Sequence, residues 1–131
     1  MSTVTPSLSA GLAQLKALTE FIDQGDNNAT FAFYSDTKPM DTTVLPDESK
    51  RLVTMTFPKP SFKITNMDSV ELNQTDAAVV LKDGDAVWGR LYNGSGLAVA
   101  DFTVGDHITL NNPQLVSGST LMLSSIILRP Q

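Results

Sequence analysis

The sequence predicts an all-β domain with one N-terminal α-helix, the β part being an antiparallel, jelly-roll-like β-sandwich of about eight strands. Three observations predict it. Apolar residues recur at spacings of three and four only in the first segment. From Thr30 the period changes to two and stays there, and Gly, Pro, Asn and Asp punctuate the rest at the intervals usual for sandwiches and jelly rolls. With 131 residues, 41% hydrophobic and 18% charged, the chain buries roughly two-thirds of its unfolded surface as one domain over residues 1–131.

The helix is expected over residues 8–24, behind an N-terminal arm of residues 1–7. Leu8, Leu12, Leu15, Leu18, Phe21 and Ile22 make one apolar stripe. Thr5 and Pro6 supply an N-cap and a first-turn proline, and Gly25 with Asp26-Asn27-Asn28 ends the helix. The stripe either covers the protein's own sheet or docks on a partner.

The β-sandwich is expected over residues 30–131. In TFAFYS, Phe31 and Phe33 oppose Ala32 and Tyr34. Residues 36–50, DTKPMDTTVLPDESK, are polar with two prolines and read as an excursion loop over the surface, either a binding element or a crossover between sheets. RLVTMTF sets Leu52, Thr54 and Thr56 against Val53, Met55 and Phe57, and Pro58-Lys59-Pro60 then breaks the ladder at an edge or corner. Strand patterns follow in SFKITNM, SVELNQ and AAVVLK, with Asp83-Gly84-Asp85 as a turn. AVWGRLYNGSGLAVADFTVG is the clearest hairpin, with Asn93-Gly94-Ser95-Gly96 between two alternating runs. HITL and TLMLSSIILRP complete the set.

Composition narrows the function. The formal net charge of −5 and the lack of any basic cluster beyond Lys50-Arg51 disfavour nucleic acid as a partner. No apolar run approaches a membrane span and no secretory signal opens the chain, so a soluble, unprocessed protein without a membrane partner is expected. Asn28, Asn73 and Asn93 head sequons of the kind that a Ser/Thr-rich chain produces by chance.

Catalytic signals are absent from the sequence. The single histidine, His107, has no cysteine to join it in a metal site and reads as a strand-edge turn residue. Asp83-Gly84-Asp85 lacks the distal ligands of a calcium loop. Asp41, Asp47, Glu48, Asp68 and Glu71 have no spacing that pairs them as a glycosidase would require. There is no GxGxxG and no P-loop. The expectation is therefore a non-enzyme without cofactor or metal. Trp88 and Tyr92 read as core or interface anchors, with sugar stacking as the alternative, and Arg90 fits a rim beside them.

Four pieces in order resemble a family of small virion-associated proteins from the morphogenesis modules of tailed bacteriophages and prophages. They are the helix leading into FAFYSDTKP, then LVTMTFPKPSF, then WGRLYNGSGLAVADFTVG, and finally ITLNNPQLVSGSTLMLSSIILRP. Asp36 stands where glycine is common in that family, and Gly89 where an aromatic residue is usual. The resemblance implies a structural role in the virion, as a capsid decoration or cement protein whose partner is the major capsid protein or another virion protein. A neck, tail or baseplate component and a host-surface carbohydrate-binding module are the alternatives. A homo-dimer or trimer is expected, because closed assembly covers sheet edges. The expected interface residues are Met1, Val4 and Pro6 in the arm, Pro39, Met40, Leu45 and Pro46 in the loop, Pro58 and Pro60 at the corner, and Trp88, Arg90 and Tyr92 on the hairpin.

Overall fold

The computed structural model describes residues 7–64, 70–106, 108, 110, 112–124 and 126–128. Helix α1 spans Leu8–Ile22 and is followed by strands β1 (Thr30–Tyr34), β2 (Arg51–Thr56), β3 (Phe62–Ile64), β4 (Val70–Leu72), β5 (Ala78–Val79), β6 (Gly84–Asp85), β7 (Trp88–Tyr92), β8 (Ala98–Thr103), β9 (Gln114–Leu115), β10 (Thr120–Leu121) and β11 (Ile126–Leu128). The fold is mostly β and antiparallel, with one N-terminal helix, as the change of period predicts. The strands are shorter and more numerous than the eight expected, and their ladders do not establish a jelly roll.

The helix ends at Ile22, two residues short of the expected 24. Its N-cap is Ser7, whose hydroxyl accepts from the Ala10 amide at 3.2 Å. Thr5 and Pro6 lie outside the described residues. Past the Asp23 cap, Gly25 takes φ 115°, the left-handed geometry that only glycine adopts cheaply. Leu15, Thr19 and Ile22 are buried, and Ile22 and Leu18 pack into the main core.

A four-stranded antiparallel sheet ordered β2-β1-β7-β8 is the frame of the molecule. Alternation along β1 works as expected: Phe31 and Phe33 enter the main core, while Ala32 and Tyr34 join Trp88 in a second cluster on the opposite face. Both faces of β1 and β7 are therefore covered. The hairpin is formed by β7 and β8, with Arg90 directly opposite Asp101. Its turn is fixed by contact as much as by φ. A Cβ on Gly94 would lie 2.1 Å from the Asn27 carbonyl oxygen, so only glycine lets the turn seat against the chain that leaves α1.

The remaining ladders are one interrupted ribbon. Residues 70–86 run antiparallel to 113–124 and 126–128, through Leu72 opposite Ile126, Ala78 opposite Leu121, Val79 opposite Thr120, and Gly84 opposite Leu115. Single bonds fill the gaps, from Thr75 N to Leu123 O at 3.0 Å, Val80 N to Ser119 O at 2.8 Å and Ala86 N to Pro113 O at 2.8 Å. Asp83-Gly84-Asp85 is thus no hairpin turn: Gly84 and Asp85 form β6, because a partner strand lies 30 residues downstream, at β9. The ribbon continues the main sheet beyond β2, through Asp76 N to Thr56 O and Leu81 N to Leu52 O, both at 2.8 Å. β3 adds to β4 at the other end, and this three-stranded patch closes over the main core with Phe62, Leu72 and Ile126.

Candidate functional site

The second face of the sheet holds a buried polar and aromatic cluster. Tyr34 and Trp88 stand opposite each other on β1 and β7, and their rings stack at 4.5 Å and 18°. Arg90 follows two residues along β7 and faces Ala32, whose small side chain leaves room for a guanidinium lying on the sheet. That guanidinium sits 5.3 Å from the Trp88 ring and binds Asp101 through Nε at 2.6 Å and Nη2 at 3.1 Å. Both side chains are almost fully buried, at 2% and 6% exposed.

The segment 36–50 covers this cluster as a strap. Arg90 donates through Nη1 to the Val44 carbonyl at 2.9 Å and through Nη2 to the Asp41 carbonyl at 3.4 Å. Trp88 Nε1 donates to the Asp36 carboxylate at 2.9 Å. Asp36 has no positive φ and serves as the indole's acceptor. The strap also carries two Asx turns. Asp41 accepts from the Thr43 amide and hydroxyl and Asp47 from those of Ser49, and these bonds hold both carboxyls below their usual pKa. Lys82 Nζ, from the ribbon, donates to the Ser49 carbonyl at 2.7 Å and ties down the strap's end.

Electrostatics in the cluster follow from burial and pairing. Hydrogen bonding to Asp101 holds the Arg90 guanidinium above its already high pKa, outweighing desolvation. Burial, then the 2.8 Å hydrogen bond shared with the Tyr92 hydroxyl, pushes the Tyr34 phenol far above its ordinary value.

Expected interface residues fall into three groups. Met40 and Leu45 are 96% and 88% exposed at the strap's tip, with Pro39 and Pro46 half-buried beside them. Pro58 and Pro60 are exposed at the corner between β2 and β3, where the Lys59–Pro60 peptide is cis and Lys59 Nζ reaches the Gly25 carbonyl at 2.7 Å. Trp88 and Arg90 are both buried under the strap, at 0% and 1% exposed, so Trp88 is the core anchor of the two alternatives and not an exposed interface residue, and the rim reading of Arg90 is corrected. They lie on the face of β7 opposite Leu91, away from the main core, and the polar strap closes that face. Tyr92 is half-buried. Met1, Val4 and Pro6 lie outside the described residues.

The other chemical readings resolve locally. His107 and Asp68 lie outside the described residues. Glu48 pairs with Arg51 and Glu71 with Lys63, both at 3.2 Å. Among the described residues no three His, Cys, Asp or Glu gather as a metal site would require, and no helix is long and apolar enough to cross a membrane. Asn93 is buried, with its carbonyl oxygen accepting from the Ser95 and Leu97 amides, so its sequon is closed in the folded chain. An open hollow of about 510 Å³ near β6 and β9 is lined by Asp85, Val104, Leu110, Pro113 and Gln114, and Asp85 is the one ionisable group lining it among the described residues.

What sequence reasoning missed is the bracing of the strap. Its signal was an arginine and an aspartate on consecutive strands of a recognised hairpin, eleven residues apart, on the alternation face shared with Trp88. The chain matches no protein-family model, no curated protein and no solved structure.

Proposed function

We propose that this chain is a structural contact protein of a tailed-bacteriophage virion, serving as a capsid decoration or cement protein that bridges neighbouring capsid subunits. One observation carries the contact part of this reading. The strap projects Met40 and Leu45 almost fully into solvent while two of its carbonyls are clamped by a buried arginine. A tip held in shape before it meets a partner loses less entropy on binding, and modest contacts repeated over a symmetric shell add up to strong attachment. The virion assignment rests on the four ordered motifs, which lie on α1 with β1, on β2 with its proline corner, on the β7–β8 hairpin, and on the ribbon's last strands. A sugar-stacking role for Trp88 lacks support, since its ring is fully buried.

The test is quantitative mass spectrometry of purified virions of the encoding phage, scoring copies of this chain against the major capsid subunit. A ratio near unity or a simple lattice fraction is expected. One ring's worth of copies moves the protein to the neck, tail or baseplate, and absence from the particle refutes a structural role.

A further inference from the structure

We infer that the strapped face is where two copies of this chain meet, each tip seating on the partner's ribbon about a two-fold axis. This rests on the contact reading of the strap and names its first occupant. The exposed large apolar side chains are unevenly placed. Along the ribbon, Val80 and Leu123 enter the main core, so alternation turns Val79, Leu81 and Met122 to the opposite side of the sheet. That is the side covered by the strap, which carries Met40, Val44 and Leu45. The Lys82 to Ser49 bond links the two regions.

Six exposed apolar side chains thus share one side of the sheet, in two lobes. The tip projects above β7, whereas Val79 on β5, with Leu81 and Met122 just past β5 and β10, forms a shelf along the ribbon. The strand order β5, β2, β1, β7 separates the lobes by about three strand spacings, on the order of 14 Å. A projection and a shelf on one face are self-complementary under two-fold rotation, because an isologous contact requires tip on shelf twice. Area agrees: the six residues leave on the order of 700 Å² accessible per copy over the two lobes, close to the roughly 800 Å² per partner of a standard stable interface.

The experiment is sedimentation velocity of the full chain between about 1 and 100 µM, a range that brackets the micromolar affinities common for interfaces of this size. Twice the 14.1 kDa chain mass is expected. Leu45→Asp and Leu81→Asp should each weaken the dimer at least ~100-fold, since each would bury a charge against an apolar surface. Leu97→Asp should leave it intact, because that turn is tied to the end of α1 on the main-core side. A wild-type monomer at 100 µM overturns the inference, as does a dimer that survives either Leu45→Asp or Leu81→Asp.

Cross-linking gives a second readout that does not depend on the charged variants folding. The chain has no cysteine, so Leu45→Cys and Leu81→Cys variants each carry one thiol. Mixed and oxidised, they should form a 45–81 disulfide between chains, and its absence overturns the tip-on-shelf arrangement. The two proposals fail separately: a monomer found at lattice stoichiometry in virions sinks only the dimer, and a dimer absent from virions sinks only the virion role.

Discussion

Replacing Asp101 with asparagine changes almost no volume and removes one charge. Arg90 would stay buried, with its guanidinium 2% exposed and two of its contacts to Asp101 facing a neutral amide whose NH2 end repels N–H donors. Breaking one side of a buried pair costs about 3–5 kcal/mol, because the remaining charge is uncompensated. The Trp88 ring and the carbonyls of Asp41 and Val44 still stabilise the cation, so the lower end of that range is expected. For a domain of this size the melting temperature should fall by roughly 10–15 °C. Chemical denaturation gives the free energy, and hydrogen exchange shows where it goes: amides of residues 36–50 should exchange faster before the sheet does. The double variant Arg90→Met, Asp101→Leu should recover most of the stability without restoring protection in the strap, which separates burial from bracing. A loss below about 1 kcal/mol for Asp101→Asn, the range of exposed pairs, would refute the claim that this pair is buried and braces the strap.

Gly89→Ala should destabilise by about 1–3 kcal/mol in urea titration, since a Cβ there would meet the Phe31 ring at 2.2 Å within a packed core. Tyr34 sets an alkaline limit. Its folded pKa is raised above the unfolded value of 10.0, so the stability it contributes is complete below pH 10 and falls as pH rises further. In a Tyr92→Phe variant, whose one tyrosine is Tyr34, tyrosinate absorbance should accordingly appear only as the fold opens. Trp88→Phe should cost about 2 kcal/mol in thermal or urea unfolding, by removing the donor to Asp36 and trimming a fully buried ring, and unchanged stability would show that the strap makes no use of the indole.

Local pattern was legible wherever one residue's neighbours decide its state. The period of β1 separated Phe31 and Phe33 from Ala32 and Tyr34, and the hairpin's alternating runs put Trp88 and Arg90 on one common face. Alternation assigns a face but says nothing of what covers it, so Trp88 and Arg90 were placed at a surface that the strap in fact closes. The ribbon was hidden for a different reason. Its pieces are two or three residues long, and Asp83-Gly84-Asp85 has the composition of a turn, so only a partner 30 residues away makes it a strand. The need for glycine at 89 was hidden as well, because the Phe31 ring on the neighbouring strand occupies the space a side chain there would take.

The strap's orientation runs against its own local free energy. Burying Met40, Val44 and Leu45 on the sheet would contribute up to about 1.5–3 kcal/mol each, yet they point outward while Asp41 and Val44 turn carbonyls inward to a guanidinium. The ion pair that holds this arrangement does no better than break even against an apolar cover of the same volume. A chain under selection for stability alone would face the strap the other way. Outward apolar groups on a braced backbone become favourable once a second surface buries them, because the area then gained is not offset by ordering the loop at the moment of contact. On the proposed contact role, the buried Arg90–Asp101 pair would act on the tip from beneath it: a change at either residue would alter how the tip is presented without touching a partner.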